Sequence, residues 1–135
     1  MKVKIEKKSY MPVRAHIEDA GLDLRTPKGY ILYPNSYRVI DTGVAVSLPK
    51  NTVGYIKARS SLFSRGVLTD GTIDEGYTGT IKVVLWNIHN EMVLLKRGDK
   101  IAQLVIHPIE KPELEQVDSL EETDRGDGGF GSTGR

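Results

Sequence analysis

The C-terminal segment Arg125 to Arg135, RGDGGFGSTGR, sets five glycines around one aromatic ring, Phe130, and two adjacent hydroxyls, Ser132 and Thr133. Glycine lets backbone N–H groups come close to anionic oxygens. Arg125 adds a forked cation suited to phosphate, and Phe130 a flat face on which a base can stack. Such a segment can close over a nucleotide, although the same composition describes an unstructured terminus. Upstream, Asp74 lies in GTIDEGY, residues 71–77, whose glycines and acids suit a β-hairpin turn. A carboxylate placed there can orient and deprotonate a water attacking a phosphoanhydride, or simply hydrogen-bond its own backbone. Arg59, Ser60 and Ser61 open the one helical turn expected, Ser60 to Ser64, with the serines placed to cap it. A helix start offers N–H groups and a positive dipole end to phosphate oxygens.

Two further residues stand alone between apolar neighbours: Asp23 between Leu22 and Leu24, and Gln103 between Ala102 and Leu104. Strand alternation places both on an outward face. It sends Glu75 to the side opposite Asp74 and into solvent, and Asp99 reads as a structural turn residue.

These residues need a rigid frame. Apolar alternation with period two recurs at Val3 and Ile5, at Val44 to Leu48, at Val53 to Lys57, at Thr80 to Trp86, at Met92 to Leu95 and at Ile101 to Ile106. Gly, Asn, Asp or Pro bounds each run, and no long stretch has helical spacing. Short strands so spaced indicate an all-β sandwich or barrel. After Pro108 the pattern dissolves into acidic, proline-punctuated sequence, Glu110 to Asp124. The expected organisation is therefore a β body over 1–109 and an arm with a glycine-rich lid over 110–135. The roughly 17 residues of arm that lead to the tail reach on the order of 55 Å when extended, far enough to act on a neighbouring copy.

Composition narrows the class. In 135 residues, 19 basic and 18 acidic side chains leave a net charge of +1, so no global field favours nucleic acid or an anionic membrane. The absence of cysteine excludes disulfides, thiolate zinc sites and a cysteine nucleophile. His16, His89 and His107 are scattered without metal-ligand spacing. The N-terminus MKVKIEKKSY lacks a signal-peptide core, and no run approaches the roughly 20 apolar residues of a membrane span. The expectation is a cytoplasmic domain with a local anion site.

Taken in order, DAGLDLRT (19–26), ARSSLFSRG (58–66), GTIDEGYTGTIKVVLWN (71–87), RGDKIAQLV (97–105) and the tail resemble the five motifs of the trimeric deoxyuridine triphosphatase family, the dUTPases. Five in sequence are far more specific than any one. The resemblance implies a jelly-roll-like (β-clip) subunit, a homotrimer with sites shared between subunits, and Mg²⁺-dependent hydrolysis of dUTP to dUMP and pyrophosphate. That reaction limits uracil incorporation into DNA and supplies dUMP for dTMP synthesis. By resemblance Asp74 directs water onto the α-phosphorus, and Tyr77 packs under the deoxyribose and excludes a 2′-hydroxyl. Thr72, Ile73 and Lys82 fall near the nucleoside, while main-chain groups of the 71–77 segment read uracil. Arg59, Ser60, Ser61 and Gln103 hold phosphates, and Asp23 supports the metal through water. Arg125, Phe130, Gly131, Ser132 and Thr133 complete the lid. The chain departs from the family pattern in the short link between Arg59 and Asp74, in having no asparagine before Gly71, and in Ser61 where glycine is usual.

Other readings are weaker. A dCTP deaminase would carry a catalytic Glu three residues before Asn87, where this chain has Val84. A nucleotide-binding regulator on the same fold remains an alternative, though Asp74 argues for catalysis. The two Arg-Gly-Asp tripeptides, 97–99 and 125–127, read as turns rather than adhesion signals, and the tail lacks the Gly-Lys-Ser/Thr of a P-loop.

Overall fold

The computed structural model describes residues 1–134, so the lid's last residue, Arg135, lies outside the described residues. Eleven strands and one helical turn follow one another: β1 (Lys2–Ile5), β2 (Gly21–Arg25), β3 (Tyr30–Leu32), β4 (Ser36–Asp41), β5 (Val44–Ser47), β6 (Thr52–Lys57), α1 (Ser60–Phe63), β7 (Val67–Leu68), β8 (Asp70–Ile73), β9 (Lys82–Asn87), β10 (Val93–Leu95) and β11 (Lys100–Pro108). The fold is all-β, as the alternation predicts. Every pairing is antiparallel, in four sheets ordered β1-β5, β3-β10, β2-β11-β6-β8 and β4-β9-β7.

Inward side chains from all four sheets share one core, including Leu24, Leu32, Ile40, Val44, Ile56, Val83, Leu85 and Leu104. β9 shows the alternation cleanly, with Val83, Leu85 and Asn87 buried and Trp86 outward. Four strands escape the sequence reading: β3, β4, β7 and β8, the last within the segment expected as a turn. In β4 the apolar residues Tyr37 and Val39 face out while adjacent Ile40 faces in, which breaks the period-two signal. Leu104 is fully buried and packs so closely on Gly54 that a Cβ there would come within 2.8 Å of its Cδ1. Leu104→Ala is expected to cost about 2–5 kcal/mol, read as a lower denaturant midpoint in equilibrium unfolding.

The segment 71–77, expected as a hairpin turn, is not one throughout: its first residues extend strand β8. β8 pairs with β6, whereas β9 pairs with β4 and β7 in a different sheet. The link between them is too long for a tight turn and is pinned elsewhere: Ile81 N–H donates to Val44 (2.7 Å), and the Ile81 carbonyl accepts both the N–H (3.0 Å) and the hydroxyl (2.8 Å) of Thr42. The Asp74–Tyr77 segment thereby stands at a crossing between sheets. Both Arg-Gly-Asp tripeptides do form turns, closed by Asp99 N–H on Lys96 O (3.1 Å) and Gly128 N–H on Arg125 O (3.0 Å).

Candidate active site

Three adjacent strands build a polar cleft. Gln103 on β11 lies opposite Asp23 on β2 and opposite Lys57 on β6, and the chain reaches Arg59 two residues beyond Lys57. Asp19, Gly21, Asp23, Arg59, Ser60 and Gln103 consequently line one cavity of about 230 Å³. A register shift in β11 between Lys100 and Ala102 buries Ile101 and Ala102 consecutively. Such bulges re-aim neighbouring side chains, and here Gln103 crosses Gly21 so closely that any Cβ at 21 would overlap its amide. Its Nε2 donates to Ala58 O at 3.4 Å. Gln103 is therefore a half-buried cleft residue rather than the surface residue its isolation suggests.

Asp23 is likewise not outward. It is 5% exposed, with Oδ1 paired to Arg59 Nη1 and Oδ2 to Lys100 Nζ at 2.7 Å. Two cations offset the desolvation that alternation alone would have avoided by turning it to water. Ionised carboxylates have about four acceptor positions, so Asp23 keeps capacity toward the cleft it lines. Lys100 was not evident as a site residue in the sequence; only its place three residues before Gln103 hints at it.

The serines do not cap α1. Arg59 is the N-cap, with extended backbone and no side-chain cap bond, and its carbonyl accepts the N–H groups of Leu62 (3.0 Å) and Phe63 (2.8 Å). Ser60 and Ser61 sit inside the first turn, where N–H groups have no helical partner. About 100° of helical rotation separates them, so Ser60 lines the first cleft while Ser61 lines a second with Arg25, Arg59, Arg65 and Lys100.

Asp74 and Tyr77 form a separate cluster outside the cleft lining. Asp74 is exposed just past β8, and its carbonyl, not its carboxylate, closes the turn by accepting Tyr77 N–H at 3.0 Å. Tyr77 is 42% exposed, donates its hydroxyl to Thr80 O at 2.9 Å, and lies against Gly79, where a Cβ would sit 2.7 Å from the ring's Cζ. It is an accessible ring held in place, not a core tyrosine. Thr72 and Lys82 are exposed, whereas Ile73 is in the core and offers only its main chain outward. β8 is the outermost strand of its sheet, so one edge of its backbone remains open to a ligand.

Glu75 departs from its expected solvation. It is half-buried, accepts Asn51 N–H at 3.0 Å and pairs with Lys111 at the root of the arm. Lys111, then the Asn51 N–H, hold its carboxyl below the usual carboxylate range. The tie is therefore present at neutral pH and is lost as pH falls through that lowered value.

The arm and tail run exposed, and in the described tail the polar bonds are local: Arg125 Nε donates to Gly128 O at 2.9 Å, and Ser132 N–H to Gly129 O at 2.9 Å. Phe130 is fully exposed. One chain thus presents the Asp23 cleft, the Asp74–Tyr77 turn and the glycine-rich tail as three separate groups. A family model described as dUTPase matches residues 7–134, nearly the whole chain that carries them. The chain belongs to the dUTPase family. It is 45% identical to the deoxyuridine 5′-triphosphate nucleotidohydrolase of Clostridium kluyveri, over 97% of this chain and 94% of that one. With the enzyme of the same name from Corynebacterium glutamicum the identity is 43%, covering 98% and 93%. Among solved structures, Staphylococcus bacteriophage 80alpha dUTPase with dUpNHpp superposes with a TM-score of 0.89 at 36% identity, covering 99% of this chain and 98% of that chain. That phage protein is described as controlling transfer of virulence genes by a proto-oncogenic G protein-like mechanism. A variant dUTPase from phage phi11 of S. aureus, in which a structural Mg(II) ion is coordinated, gives 0.82 at 32% identity, covering 90% and 98%. The jelly-roll-like fold expected of a dUTPase subunit is the fold of this chain.

Proposed function

We propose that this dUTPase hydrolyses dUTP to dUMP and pyrophosphate by attack of water on the α-phosphorus, as a homotrimer whose sites draw on more than one subunit. The observation that carries this reading is the division of labour in one chain: Asp23, Arg59, Ser60 and Gln103 converge on a polar cleft, while Asp74 and Tyr77 stand exposed beside the open edge of β8. Neither group alone can grip a triphosphate and activate water. Joined across subunits they supply both functions, with the arm long enough to bring the lid to a third position.

In this reading Arg59, the Ser60 and Ser61 donors and the Gln103 amide hold the phosphate chain. The open β8 edge, Gly71 to Ile73, reads uracil with main-chain donors and acceptors, and Thr72 and Lys82 flank the nucleoside. Tyr77 closes the space at C2′, so a ribose is rejected by contact. Asp74 takes the proton of the attacking water. Asp23 and the triphosphate would hold Mg²⁺ largely through water, as suits a cation that dehydrates reluctantly; the bound ion would offset phosphate charge. Arg125 with Phe130, Gly131, Ser132 and Thr133 would cover the terminal phosphates and the base. The proposed setting is the cytoplasm.

Pyrophosphate release measured with dUTP, dTTP, dCTP and UTP tests the proposal. Turnover of dUTP should exceed that of the other three by orders of magnitude; comparable rates for all four, or none with dUTP, would overturn it.

A further inference from the structure

Lys100 has no place in the cleft. It lines the second cavity, together with Arg25, Arg59, Ser61 and Arg65. Its Nζ nevertheless occupies Asp23 Oδ2 at 2.7 Å, while Arg59 Nη1 takes Oδ1. The side chain of Asp23 is only 7% exposed, those of Arg59 and Lys100 about a third. A carboxylate so enclosed is set by its cation partners rather than by water. With both oxygens shared, Arg59 is engaged through a single nitrogen, and the guanidinium, which has five N–H donors, keeps the others for the cleft it lines.

We propose that Lys100 is a positioning residue for the phosphate site: by occupying one oxygen of Asp23 it prevents Arg59 from closing on both. Without Lys100 the buried carboxylate has one cation left, and the favoured arrangement of an Arg–carboxylate pair is bidentate. Arg59 would then turn its fork into Asp23 and away from the phosphates. The β11 bulge between Lys100 and Ala102 supports this role, since the same irregularity sets Lys100 under Asp23 and Gln103 across the cleft. Arg25, the nearest cation along the paired strand, cannot substitute, because its Nη1 is held by Gly98 O at 2.8 Å.

The inference rests on the proposed dUTP hydrolysis, and the wild-type enzyme tests that premise separately in the same assay. Lys100→Met keeps the aliphatic stem and removes the charge. It should raise KM for dUTP, and the Kd for dUpNHpp by calorimetry, about tenfold, while kcat stays within about threefold. Lys100→Arg, which restores a cation on Oδ2, should return both constants to near wild type. In an Asp23→Asn background the Lys100→Met change should add nothing to the loss of dUpNHpp affinity, since its effect passes through that carboxylate. A purely structural role would lower the melting temperature without separating KM from kcat. Unchanged KM and Kd in Lys100→Met, no recovery with Lys100→Arg, or additive losses in the double variant would each overturn the proposal. Should Lys100→Met fail to fold, Lys100→Gln carries the same expectations.

Discussion

Asp74→Asn is expected to reduce kcat for dUTP by about 10³-fold or more while leaving affinity for dUpNHpp within a few fold. A positioned general base contributes roughly 10²–10⁴ to rate, and the amide retains the size and an acceptor oxygen but cannot accept the water's proton at neutral pH. Nothing in the fold depends on the lost charge. The carboxylate is exposed, and the turn is closed by the Asp74 carbonyl and the Tyr77 N–H, which the substitution leaves intact. The Asp74 variant should therefore match wild type in thermal unfolding. Single-turnover kinetics with calorimetry check the prediction, and normal turnover would remove Asp74 from the chemistry. A parallel loss of dUpNHpp binding would instead make it a binding residue.

What the sequence shows about this site and what it hides divide along a physical line. Alternation reports which side of its own strand a residue occupies, and it reads β9 well through Val83 and Leu85; it finds β6 too, but there Ile56 rather than Tyr55 or Lys57 is buried. It cannot report what lies across that face. Asp23 and Gln103 both look outward by alternation, yet Asp23 is covered by Arg59, which comes from the segment after β6, and by Lys100 from the start of β11. The bulge in β11 has no signature beyond two consecutive buried residues, Ile101 and Ala102, which read equally well as part of a continuous apolar run. The hairpin expectation failed for a related reason. Turn-forming residues mark where a chain bends, but not its partners: β8 pairs with β6, and the entry to β9 is pinned by Ile81 to Thr42 and Val44.

Glu75 shows the same limit and adds a mechanical consequence. It adjoins Asp74, yet its carboxylate reaches Asn51 and Lys111, so the turn carrying the proposed base and the root of the arm are joined by one side chain. Exposed ion pairs contribute little stability. The value of this one lies in direction: it fixes where the arm leaves the body.

That point of departure governs the second large effect. Truncation after Asp124 removes the described lid, Arg125 to Gly134, together with Arg135, and is expected to lower kcat/KM for dUTP by about 10²–10³-fold. In the proposed mechanism lid closure excludes water from the reacting phosphates and completes the ring of donors around them; a loss of this size corresponds to about 3–4 kcal/mol of transition-state stabilisation. The body should be indifferent. The tail's polar bonds are local, Arg125 bonds only as far as Gly128, and Phe130 covers nothing. Unfolding midpoint and sedimentation behaviour of the truncated chain should therefore equal those of the full chain, with Glu75 still holding Lys111 at the arm's root. A truncated enzyme that hydrolyses dUTP at the full rate would show that the cleft and the Asp74 turn suffice. One that changes its assembly state would show that the tail joins subunits rather than closing over substrate.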